Sequence, residues 1–286
     1  MRDAAVAGTG TLVDGQPDAW VGVSDRGLQF GDGLFETVAV VDGRPCHWQL
    51  HLARLVEGCK RLRLPTPDCG LLGREAASLC AGRQRATLKI YWTAGDSPRG
   101  YARPARLSPR RIVQVFDPPP TTPEAGPWRL TWCRQRWGEN PQLAGIKHLN
   151  RLEQVLARDE VVGAGFDEGL MQGQDGRVVS GTMTNLLLQS DDRLVTPSLD
   201  AAGIRGVTRS LVVGLARDQG MAVDERVVSV DEVNEADAVF LCNSLLGIVR
   251  VASIDQRVYD VAVAGHAPVL AAGRLVHQPD VGGWAC

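Results

Sequence analysis

Lysine is the scarcest charged residue in this chain of 286 residues, with three positions (Lys60, Lys89 and Lys147) against 28 arginines. The arginine excess can arise from genome composition and carries no functional weight. Net charge is also slight, at -2 with a pI near 6.2, which gives no bulk reason for nucleic acid or an anionic membrane as partner. No apolar run is long enough to span a bilayer, and "MRDAAVAGTGTLVDG" has no apolar leader core. The seven cysteines form no CxxC pair, which argues against a zinc site or a disulfide framework. Free thiols in a reducing, cytoplasmic setting are the expectation, with no metal.

What is present is the composition of a globular protein, with 44% hydrophobic and 22% charged residues. "VVDGRP" predicts a hairpin, because Asp-Gly supplies the positive φ of a type I′ turn. "HWQLHLARLVEGCKRLRL" places Leu50, Leu55 and Leu62 at helical spacing, and "LPTP" ends the helix. "GLLGREAASLCAGR" predicts a second helix, and "RATLKIYWTAG" and "RRIVQVFD" predict strands. "DPPPTTPEAGP" (117–127) has five prolines in eleven residues and reads as a semi-rigid connector. It divides the chain into domains at 1–116 and 128–286. The second half reads as a strand "WRLTWCRQRW", a helix after Lys147, and several short strands joined by "QDG" and "SDD" turns. A helix opening at "GIRGVTRS", a short helix, a buried strand and a terminal helix at "AVAGHAPVLAAGRL" follow. Strands and helices alternate without a βαβ rhythm, so the fold class is α+β.

Four segments carry chemistry. Lys147 follows the apolar "LAGI" where a strand gives way to a helix. A surface lysine is one reading. The other is a desolvated amine with a depressed pKa, able to form a Schiff base. "AGIRGVTRS" sets two glycines before a helix, either an anion site or an ordinary loop. Asn243 and Ser244 in "LCNSLLG" could complete a phosphate cup or cap a turn. "SDRGLQFGDGLFETV" packs Asp25, Arg26, Asp32, Glu36 and three glycines together, and reads from the residues as a loop held by an Asp–Arg pair.

"SDRGLQFGDGLFET", "HLARL", "KHLNRLEQVLAR", "TNLLL", "AGIRGVTRS" and "CNSL" together resemble the fold-type IV pyridoxal phosphate enzymes, over about residues 20 to 250. That family holds branched-chain and D-amino acid aminotransferases and 4-amino-4-deoxychorismate lyase. "KHLNRLEQVLAR" and "PRGYARP" look most like the lyase branch, which forms 4-aminobenzoate and pyruvate in folate biosynthesis. The resemblance implies a smaller N-terminal α/β sandwich, a larger C-terminal pseudo-barrel, pyridoxal 5′-phosphate at their interface, and a homodimer. An aminotransferase, or a catalytically impaired cofactor-binding relative, stays open as an alternative.

Carried over by motif, Lys147 holds the cofactor and Arg54 contacts its phosphate. Val207, Thr208 and Ser244 supply further phosphate contacts, and Asn185 of the TNL segment is another cofactor contact. Lys147 also acts as base and Thr37 is a second catalytic candidate. Lys89, Arg99 and Tyr101 lie at substrate positions. Solvated charge beside a strand is the other reading for Lys89 and Arg99. One departure stands out. Most members have Glu five residues before that Asn, and this chain has Ser180. A serine cannot ion-pair with a protonated pyridine nitrogen, so the ring is a weaker electron sink. That favours an elimination creating an aromatic ring over transamination. Glu168 does not fall in the register to replace it.

Overall fold

The computed structural model describes residues 10–17, 19–119, 126–261, 269, 273 and 275–279. It divides into two compact units: one of residues 1–120, 147–150 and 277–286, the other of 121–146 and 151–276. Residues 120–125 of the expected connector, and most of the expected terminal helix, lie outside the described residues.

The first unit contains β1 (Gly10–Val13), α1 (Arg26–Phe30), β2 (Gly33–Val41), β3 (Arg44–Pro45), α2 (Trp48–Leu62), α3 (Cys69–Cys80), β4 (Arg85–Thr93) and β5 (Arg110–Phe116). Its antiparallel sheet runs β1-β5-β4-β2-β3. The β2–β3 hairpin turns on Asp42 (φ 49°) and Gly43 (φ 73°), both left-handed, as a type I′ turn requires. On β2, Leu34, Glu36, Val38 and Val40 are buried, while Phe35 and Thr37 are half-buried. Helix α2 buries Trp48, His51, Leu52, Leu55 and Cys59; Leu50, placed on the apolar face by spacing, is exposed instead. Asp68 caps α3 by accepting from Leu71 N at 2.9 Å. Part of the segment read as a loop, Arg26–Phe30, is a short helix, because Asp25 accepts from Gly27 N at 2.8 Å and Gly31 (φ 63°) ends it.

The second unit contains β6 (Trp128–Trp132), α4 (Leu152–Ala164), β7 (Glu168–Gln172), β8 (Val178–Gly181), β9 (Asn185–Ser190), β10 (Arg193–Pro197), α5 (Val207–Asp218), β11 (Ala222–Arg226), α6 (Val230–Glu235), β12 (Ala238–Asn243), β13 (Gly247–Ile254) and β14 (Arg257–Val258). Its sheet runs β11-β10-β9-β12-β13-β6-β7-β8, with β14 on β13. The sheet curls until its ends nearly meet: Val178 N on β8 donates to Val228 O, just past β11, at 2.8 Å. Alternation along the strands sorts the core. Leu186 and Leu188 point inward with Leu130, Leu170, Val239 and Leu241. Leu187, Leu194 and Phe240 point outward against Val212 and Ala216 of α5. Each such leucine or phenylalanine contributes roughly 1.5–3 kcal/mol on burial.

β6 stops at Trp132, five residues short of the strand expected from "WRLTWCRQRW". The backbone N–H groups of Arg134 and Gln135 donate to the Glu160 carboxylate at 2.8 and 3.1 Å, which draws them off the ladder. Among the described residues no helix is long and apolar enough to cross a membrane.

Candidate functional site

Lys147 belongs to the first unit through its neighbours. Phe35 N donates to Lys147 O at 3.1 Å and Leu149 N to Gly33 O at 3.0 Å, so residues 147–149 run beside the start of β2. Gly33 allows this approach: a Cβ there would meet Trp92 O at 2.6 Å and Leu149 Cδ1 at 2.8 Å. The half-buried Lys147 places its Nζ 4.1 Å from the centroid of the Phe35 ring. Lys89 Nζ lies 5.9 Å from the same ring and 5.1 Å from that of Tyr91. Thr37 is the cross-strand partner of Lys89, as Phe35 is of Tyr91. Lys147, Lys89 and Thr37 are therefore grouped around or beside one aromatic ring, on the sheet face opposite Leu34 and Val38.

Behind that face Glu36 and Arg54, named separately from the sequence, meet with His51 in one charged cluster. Glu36 is 1% exposed. Its Oε1 accepts from Arg54 Nε at 2.8 Å, and its Oε2 accepts from Arg54 Nη2 and from His51 Nδ1, the latter at 2.7 Å. Burial alone would raise the Glu36 pKa, but Arg54 and His51 outweigh it and bring the carboxyl down to about 2. Burial lowers the His51 pKa, and the Arg54 and Lys147 charges add to that against the pull of Glu36. The imidazole is thus neutral, with its proton on Nδ1 toward the carboxylate. The alternation of β2 was the available signal, since it puts Glu36 on the apolar face.

Arg99 and Tyr101 lie on an exposed loop, with Tyr101 86% exposed and its ring 5.3 Å from that of Phe30. The buried Arg26 shapes this loop. It donates to Ser97 Oγ (2.9 Å), Gly100 O (3.2 Å) and Tyr101 O (2.8 Å), and to Asp32 at 2.8 Å. Arg103 grips the same Asp32 from the other side. The Asp–Arg pairing expected of this segment is present, and it holds the loop that carries two of the proposed substrate contacts.

In the second unit, α5 opens at Gly206 with no side-chain cap. Asn185 braces the preceding turn by donating to Ile204 O at 2.9 Å. A Cβ at Gly206 would fall 2.1 Å from Asn185 Oδ1, so a larger residue there would displace the Asn185 amide. Val207 and Thr208, in the first turn of α5, are buried. The buried Ser180 donates from Oγ to Gly181 O at 2.8 Å and accepts from Trp137 Nε1 at 3.2 Å. Glu168 is fully buried and accepts from Thr182 N, Met183 N and the hydroxyls of Thr182 and Thr184, so its oxygens are committed to that turn. Asn243 Oδ1 caps its own turn by accepting from Leu245 N (2.9 Å) and Leu246 N (2.8 Å), and Ser244 beside it is half-buried.

The family model for class IV amino-transferases matches residues 33–254. The chain belongs to that family. Within it, the chain is 34% identical over 245 residues to an aminodeoxychorismate lyase of Vibrio harveyi, covering 85% of this chain and 90% of that one. It is 30% identical to a putative branched-chain-amino-acid aminotransferase of Methanocaldococcus jannaschii, over 87% of each. Among solved structures it resembles 4-amino-4-deoxychorismate lyase from Pseudomonas aeruginosa at 45% identity and a TM-score of 0.86, covering 93% of this chain and 97% of that one. The two-unit α+β architecture is that of this class IV fold.

The residues present fit pyridoxal 5′-phosphate. In the second unit the uncapped start of α5 suits an anion, and in the first unit the Arg54 guanidinium suits a phosphate. A half-buried amine beside an aromatic ring suits an aldehyde.

Proposed function

We propose that this protein is a pyridoxal phosphate-dependent lyase that converts 4-amino-4-deoxychorismate to 4-aminobenzoate and pyruvate. The observation that carries this reading is the 45% identity to the Pseudomonas lyase along 93% of the chain. Bound pyridoxal phosphate supplies an aldehyde for amine capture and a ring that takes up an electron pair. Arg54, Val207, Thr208 and Ser244 would hold its phosphate, Ser180 would offer a hydroxyl in place of a carboxylate to its ring nitrogen, and Asn185 supports the turn before α5. Lys147 is the attachment point and then the base that takes the proton from the substrate carbon bearing the amine. The carbon–oxygen bond to the enolpyruvyl group breaks as the ring becomes aromatic. Thr37 or Lys147 returns a proton to the departing fragment, giving pyruvate. Lys89, Arg99 and Tyr101 receive the two carboxylates of the substrate.

A homodimer and a cytoplasmic location belong to the same reading, with the domain boundary in the connector 117–127. Exposed Leu152, Val155, Leu156 and Val162 on α4, and Trp20, Val23 and Leu28, offer apolar surface for a second copy. Among the described residues no cysteine is in a disulfide.

The test supplies aminodeoxychorismate alone, and separately an amino acid with 2-oxoglutarate. Release of 4-aminobenzoate and pyruvate without a keto acid, abolished in Lys147→Ala, is the expected result. Turnover only in the presence of a keto acid would favour the aminotransferase reading, which the M. jannaschii relative keeps in view. Borohydride treatment of yellow protein should fix the label at Lys147.

A further inference from the structure

Glu36 occupies a position that the pattern of β2 reserves for an apolar side chain. Leu34 and Val38 beside it are 2% and 0% exposed. A buried carboxylate is costly unless its oxygens are fully engaged, and a buried ion pair is often no more stable than an apolar replacement. A stability argument alone therefore leaves this residue unexplained.

The geometry gives it another role. Arg54 presents its Nε–Nη2 edge to Glu36, with Nε to Oε1 at 2.8 Å and Nη2 to Oε2. This side-on pairing fixes the plane of the guanidinium. The Nη1 hydrogens and one Nη2 hydrogen face away from the carboxylate, in the fork arrangement that matches a phosphate. Exposure agrees, with the Arg54 side chain 15% exposed and that of Glu36 2%. His51, one turn before Arg54 on α2, donates to Glu36 Oε2 at 2.7 Å and locks the carboxylate in turn. We infer that Glu36, held by His51, is a positioning residue that orients Arg54 for the cofactor phosphate. This rests on the reading that Arg54 takes that phosphate.

Two roles for Glu36 predict opposite outcomes. A carboxylate that acted only as counter-ion would weaken the attraction between Arg54 and a dianion, so its neutralisation would tighten phosphate binding. A positioning carboxylate does the reverse: its loss frees the guanidinium to turn away, and binding weakens.

The experiment titrates full-length, cofactor-stripped protein with pyridoxal 5′-phosphate and with pyridoxal, which lacks the phosphate. The proteins are wild type, Glu36→Gln, His51→Gln and Arg54→Gln. The expected result for Glu36→Gln is roughly a tenfold loss of affinity for pyridoxal phosphate with pyridoxal unchanged, the scale typical of residues that orient a ligand-binding group. His51→Gln should show a smaller loss in the same direction. Unchanged or tighter pyridoxal phosphate binding in Glu36→Gln, alongside a phosphate-selective loss in Arg54→Gln, overturns the inference and spares the reading beneath it. If Arg54→Gln itself loses no phosphate selectivity, the assignment of Arg54 falls. Should Glu36→Gln fail to fold, His51→Gln decides: a loss confined to pyridoxal phosphate supports the positioning role, and equal changes for both ligands refute it.

Discussion

Acidification should erode the first unit through Glu36. Its carboxyl falls from the usual 4.5 to about 2 in the folded chain. A depressed carboxyl stabilises above its unfolded pKa, and that contribution is lost as pH falls from 4.5 toward 2. At 1.36 kcal/mol per unit it is worth on the order of 3 kcal/mol at pH 7 and about 1 kcal/mol at pH 3. His51, with its pKa lowered by burial, also resists charging below 6.5 and would blur the comparison. The measurement is therefore made in a His51→Gln background, with and without Glu36→Gln. Hydrogen-exchange protection of β2 and β4 amides, corrected for intrinsic rates, reports the stability of this unit. The advantage of Glu36 over Gln should shrink by about 1–2 kcal/mol between pH 7 and pH 3, as expected for loss of most of the linkage term. An advantage that stays constant over that range would show that Glu36 is not held ionised by Arg54, and the electrostatic account of the cluster would fail.

Other consequences are open to direct measurement. Gly206→Ala pushes a methyl to 2.1 Å from Asn185 Oδ1 and should lower Tm and pyridoxal phosphate affinity together. Asn185→Ala should cost about 1–2 kcal/mol by stripping Ile204 O of its donor. The double variant should lose less than the sum, because the clash goes with the asparagine. Arg26→Lys cannot reproduce the fork that gathers residues 97–101, so KM for aminodeoxychorismate should rise several-fold with a smaller change in kcat, read by steady-state kinetics. Burial pushes the thiols of Cys59, Cys80, Cys133 and Cys242 up to about 12. Native protein at pH 8 should leave all four unlabelled by an aromatic disulfide reagent, with peptide mass mapping as the check.

Local rules made part of this molecule legible in its sequence. The Asp42–Gly43 turn, the helix opening within "GIRGVTRS" and the helical run of α2 depend on neighbours a few residues away, and all three were anticipated, although of Leu50, Leu55 and Leu62 along α2 only Leu55 is buried. The end of β6 was not, because it depends on Glu160, over twenty residues downstream, taking the N–H groups of Arg134 and Gln135. Ser180 could be recognised as a departure by alignment of motifs. Of its hydroxyl's actual partners, the Gly181 carbonyl is its neighbour in the chain, but Trp137, on the segment after β6 and 43 residues away, is brought to it only by the fold. Glu36 is an intermediate case. The alternation of β2 already put it on the core face, and only its partners on α2 were hidden.

The pairing of residues 147–149 with the start of β2 has a consequence for how the chain is made. His148 bridges Leu34 from about a hundred residues further along, a separation whose closure entropy grows only with its logarithm. While the polypeptide is still emerging from the ribosome, the flank of Gly33 and Phe35 has no neighbour until the Lys147 segment has been synthesised. The amine that proposed catalysis depends on thus arrives late, fitted to the flank of an earlier sheet. A gene split near residue 120 would leave the first fragment without it.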